Sequence, residues 1–298
     1  MKTAKRLFCF GLGYSAEALI RRLKGKGWAV AGTCREEKRR AGLARRGIKA
    51  YRFDGDRPLA DANKIFAGVT HLLISIPPGE DGAADPVLRH HLEHLLATRH
   101  TIKWIGYLSS TSVYGDARGV PVDEDWPCRP TSTRSRRRVE AESAWRALAA
   151  GPEALPVHAF RLSGIYGPGR SEMDRVRAGT AKRIHRPRHR FARIHVDDIA
   201  SVLTASIAKP RPGAIYNVSD DEPAPPSAVT EEACRLLGRE PPPFQFLDEA
   251  LKTMSPMARG FWRDDRFVLN FRIKSELKVK LAYPDFRAGL KAILKAGG

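Results

Sequence analysis

A glycine turn near the start of the chain, between an apolar run and an amphipathic segment, most constrains the fold. Residues 6–10 form a short apolar run, and Gly11 and Gly13 follow directly. The next segment carries apolar residues on one face and basic residues on the other, and a second apolar run occupies residues 28–33. This order predicts a right-handed β-α-β unit.

The spacing of small residues in the turn predicts a dinucleotide site. Gly11 permits a sharp turn out of the strand, and Gly13 leaves room for a pyrophosphate against the backbone. Free N–H groups at the start of the helix favour the phosphates. The alternative is a plain β-α-β turn without a ligand. We predict that the residues of the turn hold the cofactor: Gly11, Leu12, Gly13, Tyr14, Ser15 and Ala16.

The end of the second strand predicts which dinucleotide is preferred. An acidic residue about 20 positions after the glycines would hold the ribose of NAD, and an arginine there would accommodate the 2′-phosphate of NADP. Here Thr33 closes the strand and Arg35 offers a bidentate guanidinium. We therefore expect NADP to be preferred over NAD. A shift of one residue would place Glu36 there instead and favour NAD.

Two further strands predict more cofactor contacts. The run 48–53 ends at Asp54, whose carboxylate could accept a hydrogen bond from the adenine amino group or simply form a turn. The run 71–76 is almost continuously apolar, as expected for a strand covered on both faces of a parallel sheet. Its last residue Ile76, together with Pro77, would lie near the pyrophosphate.

The composition excludes several classes of protein. No run approaches the roughly 18 apolar residues of a membrane span. The basic start resembles a signal peptide, but glycine interrupts its apolar run, so we expect no secretion. The four cysteines are far apart, which favours reduced thiols in a cytoplasmic protein over a zinc site. The helix predicted over residues 85–100 contains four histidines without acidic partners at metal-ligand spacing, so we expect surface histidines and no metal.

The formal net charge of +19, from 52 Lys and Arg against 33 Asp and Glu, raises the question of nucleic-acid binding. The basic residues cluster at 35–46, 134–138 and 182–193. No helix-turn-helix, zinc finger or aromatic RNA-binding signature accompanies them. We therefore expect no nucleic-acid partner, and interpret the clusters as solvated faces or as pockets for an anionic cofactor and substrate.

Five stretches in order resemble the extended short-chain dehydrogenase/reductase family, in its NAD-dependent epimerase/dehydratase group. They are GLGYSA at 11–16, SSTSVYG at 109–115, RLSGIYGPGR at 161–170, RIHVDDIA at 193–200 and IYNVSD at 215–220. The resemblance implies an α/β fold, a doubly wound parallel sheet (Rossmann fold) with a smaller C-terminal substrate lobe. A pyridine nucleotide would lie along the carboxyl ends of the strands, with Ser163 among its contacts.

This resemblance also implies a division of the chain. The nucleotide-binding domain would comprise residues 1–170 and 191–222, and the substrate lobe residues 171–190 and 223–298. Family members often pair through the helices that match those predicted near residues 85–100 and 135–150, so a homodimer is a further expectation.

The catalytic positions of the family are only partly kept. The family uses a Ser or Thr, a Tyr and a Lys four residues later, and Ser110 matches the first. Arg134 stands at the Tyr position and Arg138 at the Lys position. A guanidinium stays protonated at neutral pH and cannot act as a base. The chain therefore resembles the atypical branch of the family, although Arg138 could still hydrogen-bond the nicotinamide ribose.

Other side chains could take over the acid–base role. His195 is a candidate because histidine titrates near neutral pH, and Tyr114 is expected near the strand ends. Each has a structural alternative: Tyr114 and Tyr166 would pack in loops, and His195 would orient the start of its helix. Ser110 could serve only as a hydrogen-bond partner.

The leading hypothesis is an NADP-binding oxidoreductase-like protein with an altered active site. Its small-molecule substrate would be polar or anionic, such as a nucleotide-sugar or a sugar phosphate. The rival hypothesis is a sensor or scaffold protein that binds NADP(H) without turning it over.

Overall fold

The computed structural model describes residues 4–79 and 85–297. The strands are β1 (Lys5–Phe10), β2 (Trp28–Cys34), β3 (Lys49–Arg52), β4 (His71–Ile74), β5 (Trp104–Ser110), β6 (Pro121–Val122), β7 (Val157–Leu162), β8 (Gly164–Tyr166), β9 (Arg183–His185), β10 (Arg193–His195), β11 (Ile215–Val218), β12 (Phe244–Phe246) and β13 (Phe267–Val268).

Helices separate most of these strands. They are α1 (Tyr14–Leu23), α2 (Glu37–Arg45), α3 (Ala62–Phe66), α4 (Pro86–Ala97), α5 (Thr133–Ala147), α6 (Glu172–Arg177), α7 (Val196–Ala208), α8 (Pro226–Leu236), α9 (Leu247–Thr253), α10 (Pro256–Arg263), α11 (Phe271–Ser275) and α12 (Phe286–Lys295). A short 3-10 turn covers Thr111–Tyr114.

Seven strands form one parallel sheet in the order β11-β7-β5-β4-β1-β2-β3. Helices flank the sheet, which confirms the predicted Rossmann-type α/β fold. The strand order reverses between β1 and β4, so the crevice beyond their carboxyl ends is where a ligand binds in sheets of this kind. The glycine turn follows β1 at this point.

The chain divides into two compact units. The first comprises the described parts of 1–110, 133–161 and 199–216, and the second comprises 111–132, 162–198 and the described part of 217–298. The second unit thus begins earlier along the chain than the predicted substrate lobe and takes in segments that we had placed in the nucleotide-binding domain. The division into functional domains stays a prediction.

An aromatic core fills the first unit beneath its sheet. Phe8, Phe10 and Phe66 pack edge to face or tilted, with ring centroids 5.1 to 5.9 Å apart. His91 on α4 packs among them, 5.4 Å from the Phe66 ring, and is completely buried. The prediction of a surface histidine is therefore wrong for His91, because the inward face of α4 buries its ring. No metal-binding group of His, Cys, Asp or Glu occurs among the described residues.

The second unit has a separate helical core. Helices α6, α8 and α12 bury their apolar faces together, around side chains such as Met173, Ala233 and Leu290. Three small two-stranded pairs, β8–β10, β9–β12 and β6–β13, complete this unit. No helix in the described part of the chain is long and apolar enough to cross a membrane. All four cysteines are free thiols.

Candidate functional site: a dinucleotide cradle and an arginine-lined cavity

Two independent constraints require a glycine at position 11. Its φ of 92° lies in the left-handed region, and a Cβ built there would stand 2.8 Å from Cγ2 of Ile76. Its N–H donates to Oγ1 of the buried Thr33 at 2.9 Å, and the N–H of Leu12 donates to the Thr33 carbonyl at 2.7 Å. Thr33 therefore shapes the turn, and Ile76 packs against it.

The start of α1 has the properties of a phosphate cradle. Gly13 occupies the N-cap position without a side-chain cap, and a Cβ added there would meet nothing within 4 Å. Ser15 and Ala16 are buried, so the helix lies close to the sheet. The first N–H groups of the helix carry partial positive charge and point out of its end. The residues present therefore fit a dinucleotide pyrophosphate.

Arg35 directly follows the carboxyl end of β2 and is exposed. Its basic neighbours are engaged: Arg39 and Arg46 pair with Glu17, and Arg40 pairs with Glu37. Within residues 4–79 and 85–297, no acidic side chain forms an ion pair with Arg35. Its guanidinium is available for an anionic ligand such as a 2′-phosphate.

Asp54 and Pro77 are two further cofactor contacts predicted in the first unit. Asp54 forms a turn, since its Oδ1 accepts from the N–H of Asp56 at 3.2 Å and its Oδ2 lies 3.7 Å from Arg52. Pro77 is exposed in the loop beyond β4. The turn interpretation of Asp54 thus has direct support, and a contact of Asp54 with adenine stays a prediction.

The two arginines at the positions where the resemblance implies the family Tyr and Lys differ in environment. Arg134, in the first turn of α5, is exposed. Arg138 is half-buried, and its Nη1 donates to the Tyr107 hydroxyl at 3.2 Å and to the Leu108 carbonyl at 3.1 Å. Arg138 is thereby held against β5, the strand that ends at Ser110.

A buried polar cluster joins α5 to the sheet. Glu142 receives two bonds from Nε of Arg161, at 3.1 and 3.2 Å, and one from Nη2 at 2.6 Å. Ser109 also donates to Glu142 at 2.5 Å. All three side chains are at most 4% exposed. This arrangement compensates the buried charges and fixes the helix relative to β5 and β7.

Tyr114, a candidate base, lies in the second unit and is completely buried. Its hydroxyl donates to Oδ1 of Asn217 at 2.6 Å. Asn217 in turn donates from Nδ2 to the Leu269 carbonyl and from its backbone N–H to Glu124. These contacts match the packing alternative. Sequence reasoning missed Asn217 and Glu124, since only tertiary folding brings them together.

His195 caps the helix that follows it. Nδ1 accepts from the N–H of Asp197 at 3.2 Å, and the ring packs 5.2 Å from Tyr166 and 3.9 Å from Tyr283. The imidazole is 2% exposed. These contacts match the structural alternative, in which His195 orients the start of α7. Burial raises the pKa of Tyr166, which disfavours this phenol as a base.

Ser110 is the last residue of β5, and Ser163 directly follows β7. Ser163 is buried, its N–H donates to the Val218 carbonyl, and its Oγ has no hydrogen-bond partner among the described residues. A buried hydroxyl without a partner is costly, so Ser163 retains the capacity to bind a ligand. Ser110 is half-buried at the last position of β5.

A cavity in the second unit has a positively charged lining. It has a volume of about 180 Å³ and is lined by Arg188, Arg190, Arg266 and a single carboxylate, Asp265. Arg266 donates to the Gly115 carbonyl at 2.9 Å and to Asp264 at 3.2 Å. The basic stretch 182–193 was interpreted as a possible anion pocket, but nothing in the sequence indicated Arg266.

Comparison with known proteins agrees with this geometry. The model of the NAD dependent epimerase/dehydratase family matches residues 87–219. A functionally unknown conserved protein from Silicibacter pomeroyi DSS is 43% identical, with a TM-score of 0.88 over 98% of this chain and 99% of that chain.

Two further proteins are similar over nearly the whole chain. Protein YeeZ of Escherichia coli strain K12 is 29% identical over 286 residues, 94% of this chain and 97% of YeeZ. The human epimerase family protein SDR39U1, solved with NADPH, has 18% identity and a TM-score of 0.72 over 97% of this chain and 99% of its own, which shows the fold alone. Residues 87–219 thus match the NAD dependent epimerase/dehydratase family, and the whole chain shares the fold of these proteins.

Proposed function

We propose that this protein is an NADP-dependent oxidoreductase acting on a small anionic substrate. The observation that carries the proposal is the turn after β1, where Gly11 cannot be replaced without strain and the start of α1 is uncapped. Gly13 and the first N–H groups of α1 would hold the pyrophosphate. When bound, the nicotinamide would supply or accept a hydride.

The preference for NADP rests on Arg35. It is the basic side chain directly after β2 that forms no ion pair in the described part of the chain, whereas Arg39, Arg40 and Arg46 are all engaged. A charge-assisted bond to a 2′-phosphate would favour NADP. In contrast, Glu36 is the residue that would favour NAD.

Arg35→Ser tests this assignment by calorimetry with both dinucleotides. We expect NADP affinity to fall by about ten-fold or more, as for the loss of a charged hydrogen bond, while NAD affinity changes little. Arg40→Ser is the matched control, because it removes a neighbouring guanidinium that is already paired with Glu37. Equal losses for the two dinucleotides would refute the role of Arg35.

The anionic substrate is inferred from the arginine-lined cavity of the second unit. Arg266 is already paired with Asp264. The guanidinium groups of Arg188 and Arg190 are therefore set against one carboxylate, Asp265. The net charge that remains is positive and favours a phosphate or carboxylate. A sugar phosphate or nucleotide-sugar fits this chemistry by analogy with the family. We expect Arg190→Gln to raise KM for such a substrate while NADP affinity is kept.

The acid–base group is not the one used by most of the family. Ser110 remains at the family Ser position and would hydrogen-bond the substrate, with Arg138 fixing the end of β5 through Leu108. Tyr114 and His195 are buried and already hydrogen-bonded, which disfavours both as acid–base groups. The direct test is oxidation of NADPH, followed by absorbance, with a panel of keto-sugar phosphates and nucleotide-sugars.

A second function, a sensor or scaffold that binds NADP(H) without turnover, is favoured by the same burial of both candidate bases. It predicts tight dinucleotide binding with no turnover across the whole panel. A protein that binds neither NADP nor NAD would refute both functions.

We also propose a cytoplasmic location, since four free thiols suit a reducing compartment. A homodimer through α4 and α5 is proposed by analogy with the family. Light scattering on the purified protein tests it, and a mass of one chain would reject it.

A further inference from the structure

A second cavity, of about 480 Å³, lies at the opposite edge of the sheet from the glycine turn. Lys5, Trp28 and His71, the first residues of β1, β2 and β4, contribute to its lining. Parallel strands have their amino ends at one edge, so this cavity is distinct from the dinucleotide cradle at the carboxyl ends. All of its lining residues belong to the first unit.

The charged side chains that line this cavity are all basic. Lys5, Lys26 and Lys103 line it, and no acidic side chain does. In the described part of the chain none of the three lysines forms an ion pair. Lys26 follows the end of α1 and complements the helix dipole there, whereas Lys5 and Lys103 have no such role.

The rest of the lining is apolar or aromatic. Leu23 and Ile207 are among the aliphatic residues that line it. The half-buried Trp28 ring has the Lys5 ammonium 5.6 Å from its centroid and packs edge-on against His71 at 4.7 Å. A cavity of this size suits a small molecule, and its aromatic and aliphatic walls suit an apolar body.

We propose that this cavity is a second ligand site, for a small amphipathic anion: an apolar or aromatic body that carries a phosphate or carboxylate. The lysines bind the anionic group, and Trp28 with Leu23 and Ile207 contacts the body. This site is separate from the proposed oxidoreductase function, and its test does not depend on the cofactor.

The probe is 1-naphthyl phosphate, titrated into the full-length protein labelled with 5-fluorotryptophan. The chain has 5 tryptophans, and Trp28→Phe assigns the Trp28 fluorine signal by its disappearance. We expect this signal to shift saturably. Neutral 1-naphthol should bind about ten-fold more weakly or worse, since it cannot form the charged hydrogen bonds.

Removal of the lysines completes the test. The triple variant Lys5→Gln, Lys26→Gln, Lys103→Gln should lose about ten-fold or more in affinity for the probe. The control variant Lys252→Gln, Lys291→Gln, Lys295→Gln removes the same charge from exposed positions and should bind the probe normally. A Trp28 signal that does not move, an equal shift in the two triple variants, or equal affinity for 1-naphthol would overturn the proposal. The 1-naphthol comparison uses the labelled wild-type protein with the Trp28 signal assigned and needs no lysine variant, so it decides even where the triple variant folds poorly.

Discussion

The glycine turn after β1 and the helix α5 both occupy positions that the family uses, yet they differ in what they keep. The turn retains its small residues, because a positive φ at Gly11 and the close approach of Ile76 leave no alternative. In helix α5, Arg134 and Arg138 stand where the resemblance implies the reactive Tyr and Lys of the family. At the turn the backbone conformation requires the small residues, whereas on α5 the side chains could change.

Within α5 the same contrast recurs over one turn of helix. Arg138 has a new side chain that still contacts β5. Glu142, the acidic side chain that follows it by one turn, is bound by Arg161 and Ser109. A buried charge cannot lose its partners without a large free-energy cost, whereas a residue at the surface of a cleft can change its chemistry.

The largest expected effect is therefore at Glu142. Glu142→Ala leaves the Arg161 charge buried without its partner, and we expect the free energy of unfolding to fall by about 3–5 kcal/mol. Urea denaturation measures this loss. Glu140→Gln, an exposed acid on the same helix, is the control and should stay within about 0.5 kcal/mol. A small effect at Glu142 would remove the distinction between structural and reactive positions on α5.

The stability of the first unit should depend on pH. Burial lowers the pKa of His71, His91 and His158 to about 4, from 6.5. The folded state therefore binds fewer protons than the unfolded state between these values, and stability is lost as pH falls from 6.5 towards 4.

The hydrogen bonds of two of these rings also predict that stability falls at acidic pH. Nε2 of His158 accepts from the N–H of Arg211, and Nε2 of His91 accepts from the N–H of Leu59, so protonation would break both bonds. We expect a loss of about 3 kcal/mol in all between pH 7 and 5, at about 1 kcal/mol or more for each ring. Urea denaturation at the two pH values measures it. Replacing the exposed His100 by Gln should leave the profile unchanged, and a flat profile would contradict the argument.

Substitutions at the two glycines of the turn distinguish an effect on folding from an effect on cofactor binding. Gly11→Ala should cost about 1–3 kcal/mol of stability, because alanine is strained at this φ and its Cβ would meet Ile76. Gly13→Ala should leave stability within about 0.5 kcal/mol, since its Cβ meets nothing. Its methyl group nevertheless fills the space for the pyrophosphate, so NADP affinity should fall about ten-fold or more. Unchanged affinity in Gly13→Ala would show that no phosphate lies there.

Much of the fold could be predicted because its signals are local. The runs 6–10, 28–33, 48–53 and 71–76 are bounded by turns, and the observed bounds of β1 to β4 differ from them by at most two residues. The pairs β6–β13, β8–β10 and β9–β12 were not predicted, since strands of two or three residues have no periodicity. The burial of His91 on α4 was also missed, because the rings of Phe10, Phe53 and Phe66 that cover it come from other elements.

The site was predictable only where backbone conformation decides it. Gly11 and Gly13 could be interpreted from spacing alone. The burial of Tyr114 could not, because its partner Asn217 lies 103 residues further along the chain. Arg266 joins Arg188 and Arg190 around one cavity for the same reason.

The smallest expected effect is at Arg138, and it tests the predicted contact with the nicotinamide ribose. Arg138→Lys introduces the residue that the resemblance implies at this position, but the shorter lysine side chain does not extend as far as Nη1, which donates to both Tyr107 and Leu108. Loss of one hydrogen bond should lower the free energy of unfolding by about 1 kcal/mol. Arg136→Lys, at an exposed position two residues earlier, controls for the exchange itself. If NADP affinity also changes in Arg138→Lys but not in the control, Arg138 contacts the ribose; if only stability changes, α5 has turned a catalytic position into a structural one.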